Sequence, residues 1–110
     1  MAICGETDFV PYWFTPTQEE SDSPTRFKLK PLDGFERLEV SAEVGARRVA
    51  SAQKLAVMYG LVDWENLQDQ SGNQIKFSRE NFRLLPVGVI AEIAVQVITS
   101  AKLSDEQKKN

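Results

Sequence analysis

The chain has 110 residues, with 13 Lys+Arg against 16 Asp+Glu for a net charge of -3, and it is 42% hydrophobic and 26% charged. That composition excludes a mainly disordered chain, a collagen-like repeat and a disulfide-built miniprotein, and this length suffices for one core burying roughly two-thirds of the unfolded surface. The acidic balance, with a pI near 5.0, gives no global attraction to phosphate backbones or anionic lipid, so nucleic-acid or membrane binding needs a local patch.

Residues 1–24 read as an irregular arm. Four of the five prolines fall at or near it (Pro11, Pro16, Pro24, Pro31), and proline at that density prevents a continuous helix and confines any strand to short or edge pieces. The arm carries four aromatics, Phe9, Tyr12, Trp13 and Phe14, followed by a polar acidic stretch over 18–24. Residues 25–30 alternate polar or charged with apolar side chains, which predicts a strand with one wet face. Pro31 and Asp33-Gly34 end it.

Residues 35–59 predict one long helix. Leu38, Ala42, Gly45, Val49, Ala52, Ala56 and Tyr59 recur at spacings of three and four, opposite Glu39, Glu43, Arg47, Arg48 and Lys54. Gly60 is a natural stop. Residues 62–67 and 74–77 then predict a β-hairpin, with Val62 and Trp64 on one face, Ile75 and Phe77 returning, and Gly72 supplying positive φ in the turn. Ser78 is placed to cap a short helix over 79–85 that turns Phe82 and Leu85 inward. From Pro86 to Ala101, Ile90, Ile93, Ala94, Val97, Ile98 and Ala101 form one helical face; the β-branched content favours a strand, but the length of the periodic block decides for a helix. Ser104-Asp105-Glu106-Gln107 has the capping-box form and could start a last turn.

These elements predict an α+β class: a mainly helical single domain with two long helices, a small β-hairpin between them and an irregular Pro-rich N-terminal arm. The arm covers 1–24, the globular domain 25–103 and a polar tail 104–110.

Histidine is absent and Cys4 is the single cysteine. A Ser-His-Asp or Cys-His nucleophile system, a His-containing zinc site, an internal disulfide and a four-thiolate cluster are therefore all excluded. The remaining candidates are carboxylates. Asp63 and Glu65 flank Trp64 on one strand face, where they read as a solvated face rather than a paired-acid site. Asp69-x-Ser71-Gly72-Asn73 lacks the spacing of a calcium loop and reads as a turn. The expectation is a protein with no catalytic residue, no cofactor and no metal site. Neither a secretory signal nor an apolar run approaching the ~20 residues of a membrane span is present, and a single reduced thiol suits a reducing cytoplasm.

Partner binding has the positive signals. Phe9, Tyr12, Trp13 and Phe14 are the residue types that anchor protein interfaces; the alternative is that the arm folds back and caps the domain's own core. The small residues Ala42 and Gly45, with Val49, allow close approach of another backbone, either within the monomer or from a helix of a second chain in a homo-oligomer. Arg26, Lys28 and Lys30 give a strand with a basic face, but net charge and the lack of aromatics on that face speak against nucleic acid.

The order Trp64-Glu65-Asn66-Leu67, Asp69-x-x-Gly72-Asn73-x-Ile75-x-Phe77-Ser78-x-Glu80-Asn81-Phe82, Leu84-Leu85-Pro86, then a hydrophobic helix and an acidic ending with Lys-Asn, resembles the tail assembly chaperones of long-tailed phages. The upstream Pro24-Thr25-Arg26-Phe27-Lys28-Leu29-Lys30-Pro31-Leu32 fits the same resemblance, which spans residues 24–110 and leaves the aromatic arm unexplained. It implies a non-catalytic phage or prophage protein of the host cytoplasm that binds the tape-measure protein, and whose longer frameshifted form recruits tail-tube protein. It also implies absence from the mature virion. Lys108-Lys109-Asn110 can be encoded by an A-rich slippery stretch. The alternatives are a structural virion component, such as a head–tail connector or minor tail protein, and a small phage-encoded nucleic-acid-binding or regulatory protein.

Overall fold

The computed structural model describes residues 2–3, 9–16 and 24–108, with side chains as far as Ser100; Cys4, residues 17–23, which hold nearly all of the polar stretch, and Lys109 and Asn110 lie outside the described residues. The described chain is a small α+β domain of three α-helices and a three-stranded antiparallel sheet. In chain order these are β1 (Tyr12–Phe14), β2 (Arg26–Leu29), α1 (Gly34–Gly45), α2 (Val49–Gly60), β3 (Leu61–Glu65), a 3-10 helix (Glu80–Leu84) and α3 (Val87–Lys108).

The sheet order is β1-β2-β3. Alternation along β2 behaves as its period of two requires: Phe27 and Leu29 are buried, while Arg26 and Lys28 face outward. On the inner face Phe14 stands opposite Phe27, which stands opposite Trp64; Tyr12 stands opposite Leu29, and Leu29 opposite Leu61. A register shift between Lys28 and Leu29 leaves Val62 as the extra residue on β3.

Two expected elements are corrected. The helix over 35–59 is two helices. The chain reverses through Ala46 and Arg47, where Arg47 takes φ 62, and α2 runs back along α1. A continuous helix here would be about 37 Å long, and it could not bring Tyr59 onto Glu39, whose carboxylate accepts the phenol hydrogen bond. The hairpin between the helices is also not a two-stranded ladder. The partner of β3 is β2, far back in the chain. Asn66, at φ 59, turns the chain out of β3; its side-chain amide donates to Pro24 O (3.3 Å) and its carbonyl accepts from Thr25 Oγ1 (2.8 Å). What remains of the expected hairpin is one bridge between Gln68 and Gln74, closed by Ile75 N to Leu67 O (2.7 Å) around a turn in which Gly72 has φ 86.

The arm is not wholly irregular either, since Tyr12–Phe14 is one of the sheet's two edge strands, bracketed by Pro11 and Pro16. The expected short helix at 79–85 is a 3-10 turn; Ser78 Oγ accepts from Asn81 N (3.2 Å), and Phe82 and Leu85 point inward as the pattern predicts. The block after Pro86 is helical, and α3 continues through Lys108 in one piece with no separate start at Ser104.

The core draws on every layer: Phe27, Leu29 and Leu32, Val40 of α1, Ala52, Ala56 and Val57 of α2, Leu61 and Trp64 of β3, Leu85, and Ile93, Ala94 and Val97 of α3. Gly60 lets the end of α2 pack directly on Val97 of α3. A Cβ there would stand 2.7 and 2.8 Å from the two Val97 methyls. Val97 is fully buried and β-branched, so it has no free rotamer to move into. Gly60→Ala therefore lowers stability, by about 1–3 kcal/mol of overpacking less up to ~1 kcal/mol of helix propensity. Urea unfolding of Gly60→Ala, Val97→Ala and the double variant checks this: the double should lose less than the sum of the two single changes, and a neutral Gly60→Ala would contradict the contact.

Candidate functional site: the outward face of α1

α1 is built from its ends. Asp33 and Glu36 form a reciprocal capping box, with Glu36 N donating to Asp33 Oδ1 (2.8 Å) and Asp33 N to Glu36 Oε1 (3.0 Å). Lys30 Nζ also reaches Glu36 (3.1 Å), tying the helix start to the end of β2. At the far end Arg48 Nε pairs with Glu43 Oε2 (2.6 Å) across the reversal. Between these ties, Val40 is the one buried residue of α1.

Helical geometry then fixes what points away. At 3.6 residues per turn, Phe35, Leu38, Ala42 and Gly45 stack on the side opposite Val40. All four are exposed, Phe35 at 84% and Leu38 at 68%; Val49, at the start of α2 after the reversal, is also exposed, at 60%. Phe9 adds to the near end, where it lines a depression of about 770 Å³ with Asp33, Gly34, Phe35 and Leu38. The surface is bulky at the Phe35 end and flat at Ala42 and Gly45.

Of the seven residues singled out from sequence, three meet here: Ala42 and Gly45 on the apolar face and Phe9 at its margin, while Val49 is exposed at the start of α2. Phe35 and Leu38 are its largest members. Leu38 is part of the sequence stripe, whereas Phe35 is missed; the 35, 38, 42, 45 spacing was its signal. The stripe itself divides at the chain reversal, so its first half is exposed while Ala52 and Ala56 are buried.

The other three aromatics go elsewhere. Tyr12 and Phe14 pack against the core, and the Tyr12 hydroxyl bonds Ser100 Oγ of α3 (2.6 Å). That favours the folding-back alternative for these two. Trp13 lies on the outer face of the sheet at 40% exposure, with the Arg26 guanidinium 4.8 Å and the Lys28 ammonium 5.7 Å from its ring centroid. The basic face therefore does carry an aromatic, a correction to the sequence reading, supplied by the neighbouring strand. Its charge is nonetheless compensated: Arg26 pairs with Glu65, and Lys28 stands opposite Asp63. The same contacts account for the Asp63/Glu65 pair, Asp63 Oδ1 also accepting from Trp64 N (2.8 Å).

Among the described residues, no group of three or more His, Cys, Asp or Glu is arranged to hold a metal ion, and no helix is long and apolar enough to cross a membrane. Among the described residues, two titrations are displaced by local partners. The Glu43 carboxylate, through its hydrogen bond and charge, raises the Arg48 pKa. The hydrogen bond to Glu39, helped by desolvation and by the charge of that carboxylate, raises the Tyr59 phenol above its ordinary 10.0.

A folded-state pKa raised in this way means that the Tyr59–Glu39 clasp between α1 and α2 is fully present below the ordinary phenol pKa. The clasp is lost as pH rises through the raised value. The tyrosinate absorbance of wild type minus that of Tyr59→Phe should accordingly show a midpoint above 10.0; a midpoint at or below that value would contradict the clasp.

No protein-family model, no curated protein and no solved structure matches the chain.

Proposed function

We propose that the protein is a non-catalytic interaction module whose outward α1 face receives an apolar helix of a protein partner. In the reading its sequence resemblance favours, it is a tail assembly chaperone of a long-tailed phage that engages the tape-measure protein in the host cytoplasm. The observation that carries the binding role is the orientation of α1. A 12-residue helix is marginal alone in water, and this one turns one side chain, Val40, into the core while holding Phe35, Leu38, Ala42 and Gly45 in solvent. Burying a Leu or Phe side chain is worth about 1.5–3 kcal/mol, so these side chains represent binding free energy held for a partner. Contiguous exposed apolar surface bounded by charge is the form interaction sites take. Ala42 and Gly45 admit a close helix backbone beside the Phe35–Leu38 knob.

Co-expression with the tape-measure protein encoded in the same tail module tests the reading. A soluble complex recovered only when both are present, with the chain missing from purified particles, supports the chaperone. Recovery of the chain as a stoichiometric component of purified particles would favour a connector or minor tail protein, and failure to form any complex would count against the tape-measure assignment. The tail-tube protein and a second copy of the chain are the further partners to include.

A further inference from the structure

A second surface lies away from α1. α2, the 3-10 helix and α3 enclose a cleft of about 300 Å³ lined by Lys54, Val57, Met58, Arg79, Phe82, Arg83 and Ile90. Its floor is apolar, with Val57 buried and Phe82 and Ile90 half-buried. Its rim is cationic, with Lys54 of α2, Arg79 and Arg83, and among the described residues that line the cleft none is acidic. Arg79 Nη1 donates to Met58 O (3.1 Å), which fixes that guanidinium at the rim while its other N–H donors stay open. Lys54 and Arg83 have no acidic partner among the described residues, whereas Arg26, Lys30 and Arg48 are each paired with a glutamate. In a chain of net charge -3, three cations gather at this rim, and the exposed Glu80 of the 3-10 helix forms no ion pair with any of them among the described residues.

We infer that this cleft docks an acidic apolar segment of a protein partner, an apolar side chain filling the Val57–Phe82–Ile90 floor while neighbouring carboxylates meet Lys54, Arg79 and Arg83. Charge complementarity selects the anion, and the floor selects its apolar companion. A phosphodiester chain would use the cations and leave the floor unfilled. The volume sits at the lower limit of small-molecule sites, about 300–1,000 Å³, and the exposed rim does not enclose a free ligand. It does match one anchoring side chain of a larger partner. Arginine adds forked donors suited to carboxylates, and Met58 supplies an adaptable apolar edge. The inference does not rest on the α1 reading, because it uses none of the same residues.

Amide chemical-shift titration of the labelled full chain tests it with two capped peptides, one bearing Leu and Phe between Glu residues and its isosteric Gln analogue. The acidic peptide should move the Val57, Met58, Phe82 and Ile90 signals saturably, with the Gln analogue at least tenfold weaker. Lys54→Glu/Arg83→Glu should abolish the response, Lys54→Arg/Arg83→Lys should keep it, and Phe35→Glu should leave it unchanged. Equal binding of the Gln analogue, shifts confined to α1, or undiminished binding by the charge-reversed variant would each overturn the inference. So would a single-stranded oligonucleotide that moves these signals when the acidic peptide does not. Both altered side chains are exposed, and unchanged circular dichroism verifies the fold.

Discussion

Trp64→Ala should lower the unfolding free energy by about 3–5 kcal/mol, the range for truncating a buried aromatic. Trp64 is 6% exposed and joins parts of the chain that are distant in sequence. Its ring meets Phe27 of β2 edge-on at 6.4 Å between centroids, Phe77 at 4.9 Å and Phe82 at 5.9 Å, while Phe77 and Phe82 touch each other at 5.7 Å. Its indole Nε1 donates to Ile75 O (2.8 Å), fastening the loop that has no ladder of its own. Truncation leaves a cavity, releases that loop and strands the Ile75 carbonyl. Trp64→Phe keeps most of the packing and loses the hydrogen bond, so it should cost less than the alanine. Urea unfolding followed by far-UV circular dichroism reads both; a loss below about 1 kcal/mol for Trp64→Ala would place it among ordinary surface changes and contradict this packing.

Phe35→Glu/Leu38→Glu should have the opposite profile. Both side chains are mostly in solvent, 84% and 68%, so stability should stay within about 0.5 kcal/mol of wild type. Partner affinity should fall at least tenfold, because two carboxylates would have to be desolvated against an apolar helix. Binding and stability separate at these positions, whereas they would fall together if the residues packed within the monomer. Val40, on the opposite side of α1 and 4% exposed, is the contrasting position where a charge should unfold the protein.

Local pattern made some of the fold legible and left the rest hidden. Alternation over 25–30 correctly assigned Phe27 and Leu29 to the core, and the helical face of Ile93, Ala94 and Val97 was recognisable despite its β-branched residues. Gly72 was recognisable as the left-handed turn position. The reversal at Arg47 was not, because neither Ala46 nor Arg47 is a helix breaker, and an arginine at positive φ leaves no compositional mark; packing of α2 against α1 imposes it. The strand partner of β3 was hidden for a related reason. A hairpin from 62–67 to 74–77 closes a short loop, and the observed pairing with β2 depends on contacts between Trp64 and Phe27 that spacing does not reveal. The site followed the same division. Ala42 and Gly45 stood out as small, but their exposure depends on which way α1 is rolled, with Val40 turned into the core and Glu39 clasped to Tyr59; Val49 belongs to α2, beyond a reversal the pattern did not show.

Isothermal titration of the purified chain with an apolar helical peptide from the proposed tape-measure partner, run for wild type and Phe35→Glu/Leu38→Glu side by side, is the most direct test of the proposal that the outward α1 face is the binding site. The expected result is a saturable complex with wild type and affinity at least tenfold lower for the folded double variant. No complex with wild type, or equal affinity for both proteins, would contradict it.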